Sequence, residues 1–218
     1  MPGPLLHYIY DPLCGWCYAA TPMVDAAAAA GIVLSLHGGG LWDAPTRLAR
    51  DKLAYIRQSD ARIGALTGQW FGDEYLNGLL GDDATVFWSQ PTIAAVLAAG
   101  EVEPGAERRM LHAIQKAHYL AGLRVVEPDV LVGVAADIGL DRAAFPAAFA
   151  PDAAAEHINH TRGFMTRSGL RGFPGFVLEN GAELVRVPHE DFYARPDAFV
   201  QALAGLSSTL SPQEEFIA

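Results

Sequence analysis

The chain has two cysteines among its 218 residues, Cys14 and Cys17, and they stand one helical turn apart. A disulfide between them closes too short a loop to restrain much of the unfolded chain, so it is a poor structural staple. Two thiols at this spacing can instead exchange disulfides with other molecules, because one thiolate attacks and the other displaces the product. The pair therefore indicates redox chemistry.

Two other interpretations of Cys14 and Cys17 stay open, and both are less favoured. A zinc site needs two more ligands, but the sequence has no second cysteine pair and no histidine at a ligand-like spacing from Cys17. Two ordinary core cysteines have no reason to lie at a junction between a strand and a helix. We expect no metal or other bound cofactor, and glutathione or another thiol as a co-substrate.

The elements around the pair position it for this chemistry. The apolar segment Leu5–Tyr10 reads as a buried strand, and the alanine-rich stretch from Gly15 to Ala30 reads as a helix. Cys14 then lies at the helix N-terminus, where free N–H groups and the helix dipole favour a thiolate. We expect Cys14 to be accessible and to attack, and Cys17 to be more buried and to resolve the mixed disulfide. The carboxylate of Asp11 would oppose a thiolate if it points inward, or it faces water.

The rest of the chain predicts one mixed sheet that is interrupted by helices. A second strand is predicted at Ile32–His37, and two more at Phe176–Leu178 and Leu184–Val187, joined by a hairpin turn at Asn180-Gly181. Between them no convincing strand is found. Helices are predicted at Arg47–Ile63, Pro91–Ala99, Glu107–Ala121, Pro128–Ile138, Arg142–Phe149, Ala153–Ser168 and Pro196–Ala204. The predicted domains are 1–42 with 170–206, the helical insertion 43–169, and a polar tail 207–218.

The active-site segment and the order of elements resemble a known family. Cys14-Gly15-Trp16-Cys17 after a strand is similar to the active site of the thioredoxin superfamily, and Pro22 matches the proline that bends its active-site helix. Phe173-Pro174 before a strand resembles its cis-proline loop. The helical block within the fold is the DsbA-like arrangement, similar to cytoplasmic DsbA-family proteins often described as protein-disulfide isomerases. The resemblance covers roughly residues 5 to 205, and it implies an α/β thioredoxin-like fold with a large all-helical insertion.

The resemblance also implies roles for two more residues. From the sequence alone, Pro174 is a turn residue, since only about 5–6% of X–Pro bonds in folded proteins are cis. The resemblance implies a cis bond, a loop backbone that pairs with an extended substrate, and a Phe173 that shapes which peptides or small thiols fit beside Cys14. The dipeptide Gly15-Trp16 differs from the Pro-His of DsbA. Because this dipeptide influences redox poise, a strong oxidant is not implied.

Two competing functions share this fold. Glutathione-dependent isomerases and transferases of the hydroxychromene-carboxylate isomerase type have a similar insertion, but they typically place a serine where Cys14 stands. A non-redox peptide-binding chaperone is the other alternative, because one fold hosts many functions. Neither needs the intact cysteine pair. The predicted function is therefore a thiol–disulfide oxidoreductase or isomerase that acts on a dithiol or disulfide protein or on a small thiol.

The composition and net charge of the chain limit which partners and which cellular compartment are expected. With 51% hydrophobic residues, 18% charged residues and a net charge of −10, the chain has an acidic surface that repels phosphate backbones, so no nucleic-acid partner is expected. No apolar run approaches the roughly 18 residues of a membrane span. No N-terminal targeting segment is visible, so we expect a cytoplasmic enzyme. Substrate, direction of electron flow, regenerating partner and oligomeric state stay open.

Overall fold

A four-stranded mixed sheet carries the active-site segment in this computed structural model, which describes residues 4–181 and 183–210 and the side chains of 4–181 and 183–208. The strands are β1 (Leu5–Tyr10), β2 (Val33–Gly38), β5 (Gly175–Asn180) and β6 (Glu183–Arg186), in the spatial order β2-β1-β5-β6. β1 runs parallel to β2 and antiparallel to β5, and β6 runs antiparallel to β5. The predicted thioredoxin-like α/β class is confirmed.

β1 lies between β2 and β5 in the sheet, and nearly all of its side chains are buried. Apolar and aromatic side chains point to both faces of the strand, and such a strand requires helices on both sides. The predicted bounds of β1 are confirmed, and β2 begins one residue later than predicted.

The predicted helix from Gly15 to Ala30 is divided into two helices. These are α1 (Gly15–Ala19) and α2 (Thr21–Ala29), which meet at Ala20. Pro22 explains the division, since it has no N–H group to donate and its ring crowds the carbonyl four residues earlier. α1 is therefore a short element that holds the cysteine pair at the end of β1.

The insertion is mainly helical, as predicted, but it also contains a small two-stranded sheet. β3 (Thr46–Arg47) pairs with β4 (Val86–Phe87), so the prediction of no strand in this region is wrong. Two residues per strand are too few to produce an alternating pattern in the sequence. The helices of the insertion are α3 (Arg50–Thr67), α4 (Ser89–Val102), α5 (Glu107–Tyr119), α6 (Pro128–Asp137), α7 (Ala144–Ala148) and α8 (Pro151–Arg167), with a π-helical turn at Glu74–Gly78 and a 3₁₀ turn at Leu79–Gly81.

The chain ends in a longer helix than predicted. β5 and β6 form the predicted hairpin, in which Asn180 pairs with Glu183 and Gly181 has a left-handed φ of 63°. α9 (Pro196–Leu210) continues past the predicted end at Ala204, so residues 207–210 of the predicted tail are helical. The apolar stripe of this helix continues to Leu206, which packs on the core. Residues 211–218 of the predicted tail lie outside the described residues.

One apolar cluster joins the sheet to the insertion. It includes Leu6 and Tyr8 of β1, Met23 of α2, and Met110 and Ile114 of α5, all at most 1% exposed. The predicted thioredoxin-like part and the predicted insertion therefore share a core. No helix in the described part of the chain is both long and apolar enough to cross a membrane.

Candidate active site

Cys14 lies at the N-terminus of α1, where the chain leaves β1. Its backbone is extended (φ −103°, ψ 115°), and its carbonyl accepts the N–H groups of Cys17 at 2.9 Å and Tyr18 at 3.0 Å. The N–H of Cys14 donates to the carbonyl of Asp11 at 3.2 Å, which closes the turn after the strand. Cys14 is buried with 7% exposure, so it is less accessible than predicted, whereas Cys17 has no exposure and is the more buried of the two, as predicted.

The surroundings of Cys17 favour the protonated form of its thiol. Burial raises its pKa well above the ordinary value, and the hydrogen bond and negative charge of the Cys14 sulfur raise it further. The N–H of Asp11 donates to Cys17 Sγ at 3.4 Å and opposes this shift only in part. Both cysteines are free thiols. The two sulfurs therefore differ in access, and burial holds Cys17 in its protonated form.

The Phe173-Pro174 segment, which directly precedes β5, lies beside Cys14. The Phe173–Pro174 peptide bond is cis, and the Cys14 thiol donates to the Phe173 carbonyl at 3.7 Å. The Phe173 ring packs against Gly39, where a Cβ atom would come within 2.2 Å of the ring carbon Cε1. The absence of a side chain at Gly39 therefore gives this loop the room to approach the cysteines.

Two further contacts hold the active-site turn. Trp16 packs against Tyr193 with ring centroids 5.0 Å apart, and nothing in the local pattern near Cys14 pointed to Tyr193. The Asp11 carboxylate points inward and accepts the N–H groups of Leu13 at 2.9 Å and Leu41 at 2.7 Å. Burial raises the pKa of Asp11, and these hydrogen bonds oppose that rise. Of the two orientations left open for Asp11, the buried one is observed.

A cavity of about 440 Å³ opens beside Cys14, between α1 and α3. Its lining combines aromatic and polar groups, as is typical of small-molecule sites. It includes Cys14, Trp16, Trp42, Tyr55, Asp60 and Tyr119. A second cavity of about 600 Å³ lies along β2 and is lined by neither cysteine. Of these two cavities, only the one at Cys14 is lined by a cysteine.

Asp60 is a site residue that the sequence reasoning missed. It lies on α3, is 3% exposed, and accepts the Tyr75 hydroxyl at 2.8 Å. Burial raises its pKa to about 6, although the Tyr75 hydrogen bond acts in the opposite direction. A signal existed, because Asp60 falls on the same helix stripe as Ile56 and Ile63, where an acidic residue is out of place.

Outside this cluster, the histidines of the described residues were candidates for a metal site. His157 accepts the N–H of Gly38 at 3.0 Å through Nε2, so this histidine has a role at the end of β2. Within the described residues, no group of three or more His, Cys, Asp or Glu side chains is arranged to hold a metal ion.

Comparison with solved structures places this site in a family. The cytosolic disulfide reductase DsbM from Pseudomonas aeruginosa is 39% identical, with a TM-score of 0.85 over 94% of this chain and 99% of that one. The structure of DsbM with GSH is similar at a TM-score of 0.81, with 39% identity over 94% of this chain and 98% of that one. A candidate protein disulfide isomerase from Nitrosomonas europaea is 25% identical, with a TM-score of 0.81 over 96% of this chain and all (100%) of that one.

A more distant structural similarity concerns the alternative function of a glutathione-dependent isomerase. A 2-hydroxychromene-2-carboxylate isomerase is 13% identical, with a TM-score of 0.58 over 95% of this chain and 99% of that one, which shows the fold alone. No protein-family model matches the sequence, and no curated protein sequence matches it. The identity to DsbM extends over nearly the whole of both chains, so this enzyme belongs to the DsbA-like thiol–disulfide oxidoreductases of the thioredoxin superfamily.

Proposed function

We propose that the enzyme reduces disulfides in the cytoplasm by dithiol–disulfide exchange, with Cys14 as the attacking thiol and Cys17 as the resolving thiol. One observation carries the proposal: the Cys14 sulfur lines an open cavity and faces the Phe173 carbonyl, while Cys17 is fully buried behind it. An attacking sulfur needs access to the substrate, whereas a resolving sulfur needs access only to its partner.

The exchange proceeds in two steps. The Cys14 thiolate attacks one sulfur of the substrate disulfide, forms a mixed disulfide, and releases the other sulfur as a thiolate that takes up a proton. Cys17 then loses its proton and attacks Cys14, which frees the second substrate thiol and leaves a Cys14–Cys17 disulfide. The charge of Cys14 is one cause of the raised pKa of Cys17. Formation of the mixed disulfide removes that charge and so favours the second step.

Two further parts of the proposal concern substrate and regeneration. The loop of Phe173 and Pro174 binds an extended segment of the substrate through its backbone, in the manner of an added strand. Two molecules of glutathione, or of a similar small thiol, restore the dithiol and leave as one oxidised disulfide, without a bound cofactor. The likeness to DsbM, a cytosolic disulfide reductase with a structure in the presence of GSH, supports this choice of compartment and co-substrate.

The first test is the redox equilibrium of the cysteine pair in graded glutathione buffers, followed by intrinsic tryptophan fluorescence. We expect one reversible two-electron transition. Trp16 should report it, because this residue lies between the two cysteines in the sequence. Cys14→Ser should abolish the transition. Cys17→Ser should instead trap a mixed disulfide of Cys14 with glutathione, which is visible by mass spectrometry. If no disulfide forms even in strongly oxidising buffer, the proposed function is wrong.

A further inference from the structure

The Asp60 carboxylate belongs to the insertion but lies directly against the active-site turn. A Cβ atom built on Gly15, the residue after Cys14, would come within 2.7 Å of Asp60 Oδ1. The same cavity is lined by Cys14, Gly15 and Asp60. The carboxylate thus packs on the peptide that carries the attacking sulfur, from an element far away in sequence.

No cation in the described part of the chain forms an ion pair with this carboxylate. None of the salt bridges among the described residues involves Asp60, and its hydrogen-bond partner is the neutral Tyr75 hydroxyl. The raised pKa of about 6 leaves Asp60 mostly ionised at neutral pH. Lys52 also lines the cavity, but it is exposed and its ammonium lies over the ring of Tyr55.

The other titratable or charged groups near Asp60 are Tyr75 beyond α3 and Tyr119 at the end of α5, with Cys14 on the same cavity. Arg57 of α3 acts on Tyr75, against the rise that burial causes in the pKa of this phenol. Burial first, then Tyr75, Asp60, Cys14 and Cys17 raise the pKa of Tyr119. The carboxylate and both sulfurs therefore act on one phenol in one small region. Like charges so placed disfavour each other's ionised forms, and the surrounding protein screens them less than water does.

We propose that Asp60 restrains the reactivity of Cys14, because its ionised carboxylate disfavours the Cys14 thiolate and its protonation removes this restraint. The inference rests on the proposed function of Cys14 as the attacking thiol. Asp60 is then a positioning residue, which acts through Cys14 and does not itself react. A stabilised thiolate makes a dithiol pair a strong oxidant, so a carboxylate that disfavours the thiolate favours a reductant.

The test is the pH dependence of Cys14 alkylation by iodoacetamide in the reduced protein, with the modified site identified by peptide mapping. The thiolate sulfur displaces iodide and forms the new S–C bond, so the rate reports the thiolate fraction. Asp60→Asn keeps an acceptor for the Tyr75 hydroxyl while it removes the charge. We expect alkylation at pH 7 to be about tenfold faster in this variant, and the two rates to converge below about pH 5.

Two further variants accompany Asp60→Asn. Tyr75→Phe removes the hydrogen bond that favours the ionised carboxylate, so its alkylation profile should meet that of Asp60→Asn at a higher pH than the parent protein does. Asp51→Asn is the matched control, since it removes the same charge from an exposed position of α3. Its profile should follow that of the parent protein.

The outcomes separate the two proposals. Equal rates in Asp60→Asn and the parent protein would show that the carboxylate has no influence on the sulfur, and the inference would be wrong. A slower rate in the variant would also overturn it, because Asp60 would then accept the Cys14 proton. If Cys14 of the parent protein does not exchange with oxidised glutathione at all, the proposed function fails instead.

Discussion

Cys14 and Cys17 are chemically identical side chains that their surroundings make different. Cys17 has no exposed surface, and its pKa is raised by burial and by the neighbouring sulfur. Cys14 lines a cavity and donates to the carbonyl of Phe173. At this scale the division of work between the two thiols follows from the access of Cys14 to the cavity and from the burial that raises the pKa of Cys17.

The titration of Asp60 predicts a pH dependence of stability. Its pKa rises from 3.8 to about 6 on folding, so the stability that it contributes is fully present below about pH 3.8 and is lost as the pH rises through 6. Each pKa unit corresponds to about 1.4 kcal/mol. Relative to Asp60→Asn, the free energy of unfolding of the parent protein should therefore fall by about 2 kcal/mol between pH 4 and pH 7.

Urea unfolding at a series of pH values measures this difference. Asp11, whose pKa is also raised, is present in both proteins, so its titration cancels in the comparison. Parallel stability curves from pH 4 to pH 7 would mean that Asp60 has the same proton affinity in the folded and unfolded chains.

At the scale of elements, the insertion determines the geometry of the active site through two helices. α3 places Asp60 and Ile63 against Gly15. α8 places Arg162 so that its guanidinium donates to the carbonyl of Gly39 at 3.1 Å and to that of Gly40 at 2.6 Å. This second contact holds the segment after β2 against which the Phe173 ring packs. Both sides of the cysteine pair are thus fixed by helices of the insertion.

The contact between α1 and α3 predicts the effect of a side chain at position 15. In Gly15→Ala the new Cβ would lie 2.7 Å from Asp60 Oδ1 and 3.0 Å from Ile63 Cδ1. Because both neighbours are buried, we expect a loss of about 1–3 kcal/mol in the free energy of unfolding. In an Asp60→Ala background the loss should be smaller by at least about 0.5 kcal/mol, the coupling typical of residues in contact.

Gly133→Ala is the matched control for this double-mutant cycle. Gly133 lies inside α6, and a Cβ there meets no atom within 4 Å. Alanine should therefore stabilise the protein slightly through its better helix propensity. Equal losses for Gly15→Ala with and without Asp60 would show that the two residues do not contact each other as described.

At the scale of the whole molecule, the shared core predicts how the enzyme unfolds. One apolar cluster includes buried residues of β1, α2, α5 and α9, so neither the sheet nor the insertion buries its apolar surface alone. We expect a single cooperative thermal transition. Far-UV circular dichroism and tryptophan fluorescence should give coincident curves, since Trp16 reports the sheet part and Trp88 the insertion. Two separated transitions would contradict a shared core.

The sequence by itself determined the local part of this enzyme. The bounds of β1, the cysteine pair at a strand-to-helix junction, and the helical nature of the insertion all follow from residue types and periodicity within short windows. These features depend on neighbours along the chain. The family resemblance added the DsbA-like order of elements. It rests in part on the positions of Pro22 and Pro174 relative to the cysteines, which can be read directly from the sequence.

Only the tertiary structure decided what surrounds the sulfurs. The inward orientation of Asp11, the place of Asp60 against Gly15, and the approach of Phe173 to Gly39 each join residues that are distant in sequence or that had two open orientations. The short pair of β3 and β4 was missed for a related reason, since two residues leave no periodic pattern. Packing selects such contacts when the helices of the insertion close over the sheet, and that selection leaves little trace in any short window.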